Sequence, residues 1–214
     1  KEISENELGG RAVPGEKLAI TGILLVGGES RRMGRNKAFL ELDGQTLLER
    51  NLAVLSGVCS EVLISSREAQ LYSGYGFEVV EDVVKGKGPL AGLYSTLSKA
   101  RFECAFVAAC DLPFLNEQAI RFLYDRLESF DAVVPESSEK IHFLHAFYRK
   151  RILSILKKNL EQDKLKLNDI VKSFNTRFVR LDGNMLSPIE KEILQKSVLN
   201  ANTPEQWAEI VKNR

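Results

Sequence analysis

Between Ile23 and Lys37 the chain reads ILLVGGESRRMGRNK: four apolar residues, two glycines, then a short run carrying three arginines and a lysine. Gly27 and Gly28 let the backbone turn where a Cβ would collide with the chain or a ligand. Backbone N–H groups in such a turn form a concavity for anions, and Arg31, Arg32, Arg35 and Lys37 add positive charge. The chemistry this suits is holding phosphates. Spacing excludes two familiar loops. A Walker A loop needs a Gly-Lys-Ser/Thr ending, whereas Gly34 is followed by Arg35, and the dinucleotide fingerprint fails because Glu29 stands two places after Gly27.

A second candidate is Asp111, which follows the run CAFVAA and Cys110. A carboxylate directly after an apolar strand is costly unless it is paired or binds a cation. Mg²⁺ takes one or two carboxylates together with phosphate oxygens and water, so a phosphate loop on a neighbouring strand makes Asp111 a Mg²⁺ candidate. The alternative is a cap on the turn before Pro113. His142 and His145 are the only histidines. If 142–148 is one strand, they face opposite sides and make poor joint metal ligands; packed or solvated imidazoles are the plainer expectation.

Strands alternating with helices must position these residues. Ile23 to Val26 reads as a strand buried on both faces, and further strands are expected at 61–65, 78–80, 104–109, 131–135, 142–148 and, at an edge, 176–181. Between them, apolar periodicity predicts a helix from Thr46 and another with Pro89 in its first turn. A third is capped by Asn116, a basic one covers 151–160, and the last starts with Thr203, Pro204 and Gln206. The pattern predicts an α/β fold, a three-layer α/β/α Rossmann-like open sheet that is mostly parallel. Residues 1–19 are polar and are expected to be an N-terminal extension, with 20–214 as a single domain. In such sheets ligands bind beyond the carboxyl ends of the strands, where the phosphate loop and Asp111 both fall.

Thirty basic against 29 acidic residues give a net charge of +1, which indicates neither nucleic acid nor an anionic membrane as a partner. The three cysteines, Cys59, Cys104 and Cys110, show no CxxC spacing and read as small core residues in a reducing cytoplasm. No apolar run has the length of a membrane helix, and the first residues lack a signal-peptide core. The lysines of 157–166 alternate with Glu161 and Asp163, the pattern of a solvated helix face.

The stretch LVGGESRRMGRNKAFLELDGQTLLER resembles the signature loop of nucleotidyltransferases with a nucleotide-diphospho-sugar transferase fold, above all the molybdenum cofactor guanylyltransferases of the MobA type. Those usually carry LAGG where this chain has LVGG. CDLPFL and EDVVKGKGPLAGL resemble two further blocks of that family, and LNANTPEQW resembles its N-x-N-T-P block. The resemblance implies transfer of GMP from GTP to the terminal phosphate of molybdopterin, already carrying molybdenum, with Mg²⁺ as cofactor and pyrophosphate as the second product. It implies that Lys37, Arg32 and Asp111 are catalytic and that Asp111 holds the metal. Leu25, Val26, Gly27, Gly28, Lys37, Ser66, Asp82, Gly88, Pro89 and Asp111 would surround the nucleotide. Asn200 and Asn202 would reach the pterin-bearing substrate or the metal's water shell. The family often has asparagine where Ser66 stands and proline where Phe143 stands. Other readings are a cytidylyltransferase on the same cofactor, a sugar-phosphate nucleotidylyltransferase, or a nucleotide-binding carrier of the cofactor. Other cofactor-biosynthesis or acceptor proteins are expected as partners.

Overall fold

The structure, a computed structural model, describes residues 15–26, 36–84 and 86–212. Strand β1 (Leu18–Leu25) lies at the centre of the sheet, and its sequence accounts for that place. Side chains alternate across a strand: Leu18, Ile20 and Leu24 enter one core, while Ile23 and Leu25 enter the other. Both faces are apolar, so both must be covered. Gly22 is required for close approach, since a Cβ there would stand 3.0 Å from Cys59 Sγ and 3.3 Å from Leu55 Cβ.

The hairpin β2 (Glu41–Leu42) and β3 (Gln45–Thr46) turns at Asp43 and Gly44, both at positive φ. Helix α1 (Leu47–Val58) follows and begins with a reciprocal capping box between Thr46 and Glu49. Strand β4 (Cys59–Ser65) returns beside β1, and β5 (Glu78–Val80) adds outside it. Helix α2 (Gly88–Lys99) leads to β6 (Cys104–Ala109) on the other side of β1. The remaining elements are α3 (Glu117–Tyr124), β7 (Ala132–Glu136), β8 (His145–Arg149), α4 (Leu153–Glu161), α5 (Leu167–Ile170), β9 (Thr176–Arg180), α6 (Pro188–Ser197) and α7 (Pro204–Lys212).

The seven-stranded order is β5-β4-β1-β6-β8-β7-β9, with β8 alone running against the others. Helices α1, α3 and α6 cover one face through Leu48, Leu52, Leu55, Ile120, Leu123 and Leu194. Helices α2, α4 and α5 cover the other through Leu90, Leu93, Leu97, Leu156 and Ile170. This is the expected three-layer α/β/α fold, and β9 lies at the edge as its sequence suggested. A smaller cluster of Leu40, Leu42, Leu47, Ala201 and Trp207 joins the hairpin to α7.

Three expectations need correction. Strand β1 begins at Leu18, which is buried, so the last residues of the expected extension belong to the sheet; residues 1–14 lie outside the described ones. The expected strand over 142–148 is a strand only from His145. Residues 142–145 instead form a turn, with the His145 N–H donating to His142 O at 3.0 Å. Helix α6 stands where no element was expected, although Ser187, Pro188 and Glu190 form a capping box with a first-turn proline. Among the described residues, no helix is long and apolar enough to cross a membrane.

Candidate functional site

The carboxyl ends of β5, β4, β1 and β6 are tied together one residue beyond the strands. Val26 N–H donates to Ser65 O at 3.0 Å, Cys110 N–H to Leu25 O at 3.1 Å, and Ser66 N–H to Val80 O at 3.1 Å. This rim places Asp111 beside the exit of β1. On helix α1, the buried Asn51 donates from Nδ2 to Cys110 O at 3.1 Å and so fixes the backbone just before Asp111.

Lys37 reaches Asp111 from a short, rigid piece of chain. Residues Lys37–Phe39 form a 3₁₀ turn capped by Asn36, whose Oδ1 accepts from Ala38 N–H at 3.0 Å while its Nδ2 donates to Tyr72 Oη at 2.9 Å. Phe39 stacks on the Tyr72 ring with centroids 5.9 Å apart. From this anchor Lys37 Nζ donates to Asp111 Oδ2 at 3.0 Å and to Asn202 Oδ1 at 2.8 Å. Both charged side chains are only 16% exposed, so water screens the pair weakly.

Asn202 is presented by the chain between α6 and α7. Thr203 Oγ1 accepts from Gln206 N–H at 3.3 Å, and Gln206 Oε1 accepts from Asn202 N–H at 2.8 Å. The helix cap and the site asparagine therefore belong to one structure, with the glutamine reaching one residue further back than the expected box. Ala201 N–H donates to Asp111 O at 3.4 Å, and Asn200 Oδ1 accepts from Lys140 Nζ at 3.3 Å.

These groups line a cavity of about 280 Å³. Of the sequence candidates it gathers Leu25, Val26, Lys37, Pro89, Asp111, Asn200 and Asn202. Gly27, Gly28 and Arg32 lie outside the described residues. Ser66 and Asp82 do not line this cavity; they sit at the ends of β4 and β5. Ser66 Oγ accepts from Glu68 N–H at 3.0 Å, so its side chain is engaged in a local turn. Asp82 Oδ1 accepts from Ser65 Oγ at 3.4 Å, and burial raises its carboxyl pKa above the ordinary range against the opposing effects of Arg67 and Ser65.

Helix α2 presses on this second group of residues. A Cβ at Gly92 would stand 2.7 Å from Ser65 Oγ, 3.1 Å from Leu25 Cδ2 and 3.4 Å from Asp82 Oδ1. Gly88 opens the helix at φ +62, Pro89 follows, and the Lys87 side chain at the N-cap makes no capping hydrogen bond. Lys87, just before the helix, pairs with Asp163.

Both histidines line the same cavity, contrary to their expected placement on opposite faces of a strand. The turn over 142–145 is the reason. Burial pushes His142 down to about 4, helped by Lys140, and His145 down to about 3. Both imidazoles are neutral near pH 7. The Cys110 thiol, pushed up to about 12 by burial and then by the Asp111 charge, is not a thiolate nucleophile. Asn36, Asn51 and Lys140 escaped the sequence reading. Asn51 left a signal, as a lone amide on the apolar face of LLERNLAVL.

The chain is similar to known proteins over most of its length. The sequence profile of the MobA-like NTP transferase domain matches residues 22–177. The chain is 32% identical over 197 residues to a probable molybdenum cofactor guanylyltransferase of Pelotomaculum thermopropionicum, covering 92% of this chain and 93% of that one. It is 33% identical over 190 residues to the molybdenum cofactor guanylyltransferase of Desulfosudis oleivorans, covering 88% and 92%. Among solved structures, the molybdopterin-guanine dinucleotide biosynthesis protein A of Archaeoglobus fulgidus superimposes with a TM-score of 0.78 at 27% identity, over 91% of this chain and 100% of that one. Matched over most of its length, the chain is a nucleotidyltransferase belonging to the MobA-like NTP transferase domain family.

Proposed function

We propose that the enzyme transfers GMP from GTP to the terminal phosphate of molybdenum-loaded molybdopterin, forming the guanine dinucleotide cofactor and pyrophosphate. The observation that carries this reading is the meeting of Lys37, Asp111 and Asn202 at the carboxyl ends of β1 and β6, in a chain whose relatives bear guanylyltransferase names.

A phosphate oxygen of the acceptor attacks the α-phosphorus of GTP. The new O–P bond forms as the bond to the β-phosphate oxygen breaks, and pyrophosphate leaves with the electron pair. The nucleophile is already ionised, so no base has to remove a proton from it. The neutral histidines and the protonated Cys110 agree with that. Catalysis then rests on position and charge. Lys37 supplies an ammonium for the triphosphate, joined in this reading by Arg32 and the N–H groups of 27–30. Leu25, Val26, Ser66, Asp82, Gly88 and Pro89 border the nucleotide, and Asn200 and Asn202 border the acceptor.

Mg²⁺ is the proposed cofactor. The donors fit it: a carboxylate oxygen of Asp111 and an amide oxygen of Asn202 already converge on one cation, the Lys37 ammonium. Among the described residues, no group of three histidine, cysteine or acidic side chains forms a self-sufficient metal cage. Few protein oxygens completed by substrate phosphates is the arrangement Mg²⁺ accepts. Asp111 would hold the ion, which when bound neutralises phosphate charge. A cytoplasmic location suits three unpaired cysteines, and proteins that receive the finished cofactor would be the partners.

Pyrophosphate release with Mg²⁺ and each nucleoside triphosphate, with and without the molybdopterin cofactor, tests the reading. Release with GTP and cofactor together is expected. Release with CTP instead would make this a cytidylyltransferase, and binding without release would make it a carrier.

A further inference from the structure

We infer that His145 is a positioning residue for the transfer site, holding through Ser197 the 198–202 segment that carries Asn200 and Asn202. This rests on the reading of Lys37 and Asn202 given above. His145 is 1% exposed, and its ring meets the edge of Phe106 at 90° with centroids 5.1 Å apart. Its Nε2 lies 2.7 Å from Ser197 Oγ, and Ser197 is itself fully buried. Its Nδ1 is also buried and has no hydrogen-bond partner among the described residues. A purely packed side chain at this place would avoid the desolvation cost that the orphan nitrogen carries. The interaction that distinguishes an imidazole from an apolar ring here is the one with Ser197.

Ser197 is the last residue of α6. Beyond it the α6 carbonyls hold Val198 N–H and Leu199 N–H, Val198 packs into the core, the Asp111 carbonyl holds Ala201 and Gln206 holds the Asn202 amide. The His145–Ser197 contact is the side-chain tie that orients the near end of this strap from the β8 side, and the α7 cap fixes the far end. His145 also closes the 142–145 turn, so one residue joins two walls of the cavity. If the near end loosens, Asn202 no longer directs the Lys37 ammonium, although Asp111 still holds it by charge. Ground-state affinity for the nucleotide should then persist while the geometry needed in the transition state is lost.

The test uses His145→Phe, which keeps a ring against Phe106, Ser197→Ala, which removes one oxygen, their combination, and His145→Gln, which restores a polar group. His145→Phe and Ser197→Ala should each lower kcat by about tenfold with KM for GTP changed less than about threefold. The double variant should be no slower than the slower single one, and His145→Gln should recover part of the rate. Amide exchange over 198–202 should quicken in both single variants while β6 is unchanged. Ser197→Ala keeps the test decisive if His145→Phe does not fold. Singles within about twofold of wild type, losses that multiply, or unaltered exchange over 198–202 would each overturn the assignment. If no nucleoside triphosphate is turned over at all, the functional reading falls, and the exchange comparison still decides the role of His145.

Discussion

Lys37 and Asp111 are 74 positions apart, yet they donate and accept across 3.0 Å. Each follows a strand buried on both faces, and parallel strands end on the same side, so strand position placed both at one end of the sheet; their direct pairing is seen only in the folded chain. Asn202 was legible only through the resemblance of its block, since an asparagine before a helix otherwise reads as turn chemistry. Asn36 and Lys140 left no signal, because their roles depend on partners that only the folded chain supplies. Replacing Lys37 with Ala should leave the fold intact, as judged by circular dichroism, and lower kcat by about 10²–10³, the cost of losing one preorganised donor. A near-normal rate would remove Lys37 from the chemistry. Asp111→Asn keeps the size of the side chain and removes its charge. The Mg²⁺ concentration for half-maximal rate should rise by about 10–100-fold, the range for a disturbed metal site, whereas an unchanged titration would show that the carboxylate serves only to hold Lys37.

At the scale of elements, the strands buried on both faces were the most legible parts. The strand at 104–109 has the expected bounds because its continuous apolar run admits little else, and the short edge strand at 78–80 has them too. The run HFLHAFY misled because its apolar character comes from two sources: 145–148 pairs with β6, while Phe143 and Leu144 face the cavity from a turn. Apolar residues lining a ligand cavity look like strand residues until the backbone is seen. The Asp43-Gly44 hairpin and the Ser187 capping box both carried signals, a DG turn and an S-x-x-E pattern, that outweigh their weak apolar periodicity. The contact of α2 with Ser65 and Asp82 was not legible, since nothing in GPLAGL tells a helical glycine from a helix-packing one. Gly92→Ala tests that contact. Serine and leucine must both give way to the new methyl, which should cost about 1–3 kcal/mol of stability and raise KM for GTP more than it lowers kcat. A variant with wild-type stability and KM would mean that α2 shifts freely and does not fix the nucleotide rim.

For the molecule as a whole, alternation of strand and helix was enough to predict three layers, but not that one antiparallel strand, β8, would bring His145 under the site. That burial has a consequence for global stability. The unfolded chain binds protons at its histidines near 6.5, whereas the native molecule holds His142 down to about 4 and His145 to about 3. Below pH 6.5 the unfolded state therefore binds more protons than the native one. The contribution is fully present above the unfolded value and is lost as pH falls toward the native ones. Each such proton is worth about 1.4 kcal/mol per pH unit. The raised carboxyl of Asp82 acts in the opposite sense, since it favours proton uptake by the native state. Urea unfolding between pH 6.5 and about 5 should thus show wild-type stability declining with acid, and His145→Phe declining less steeply by about one proton's share. Because Asp82 and His142 are common to both proteins, the difference in slope isolates His145. Equal slopes would mean that the imidazole is protonated in the native fold and that the interior around Phe106 and Ser197 tolerates its charge.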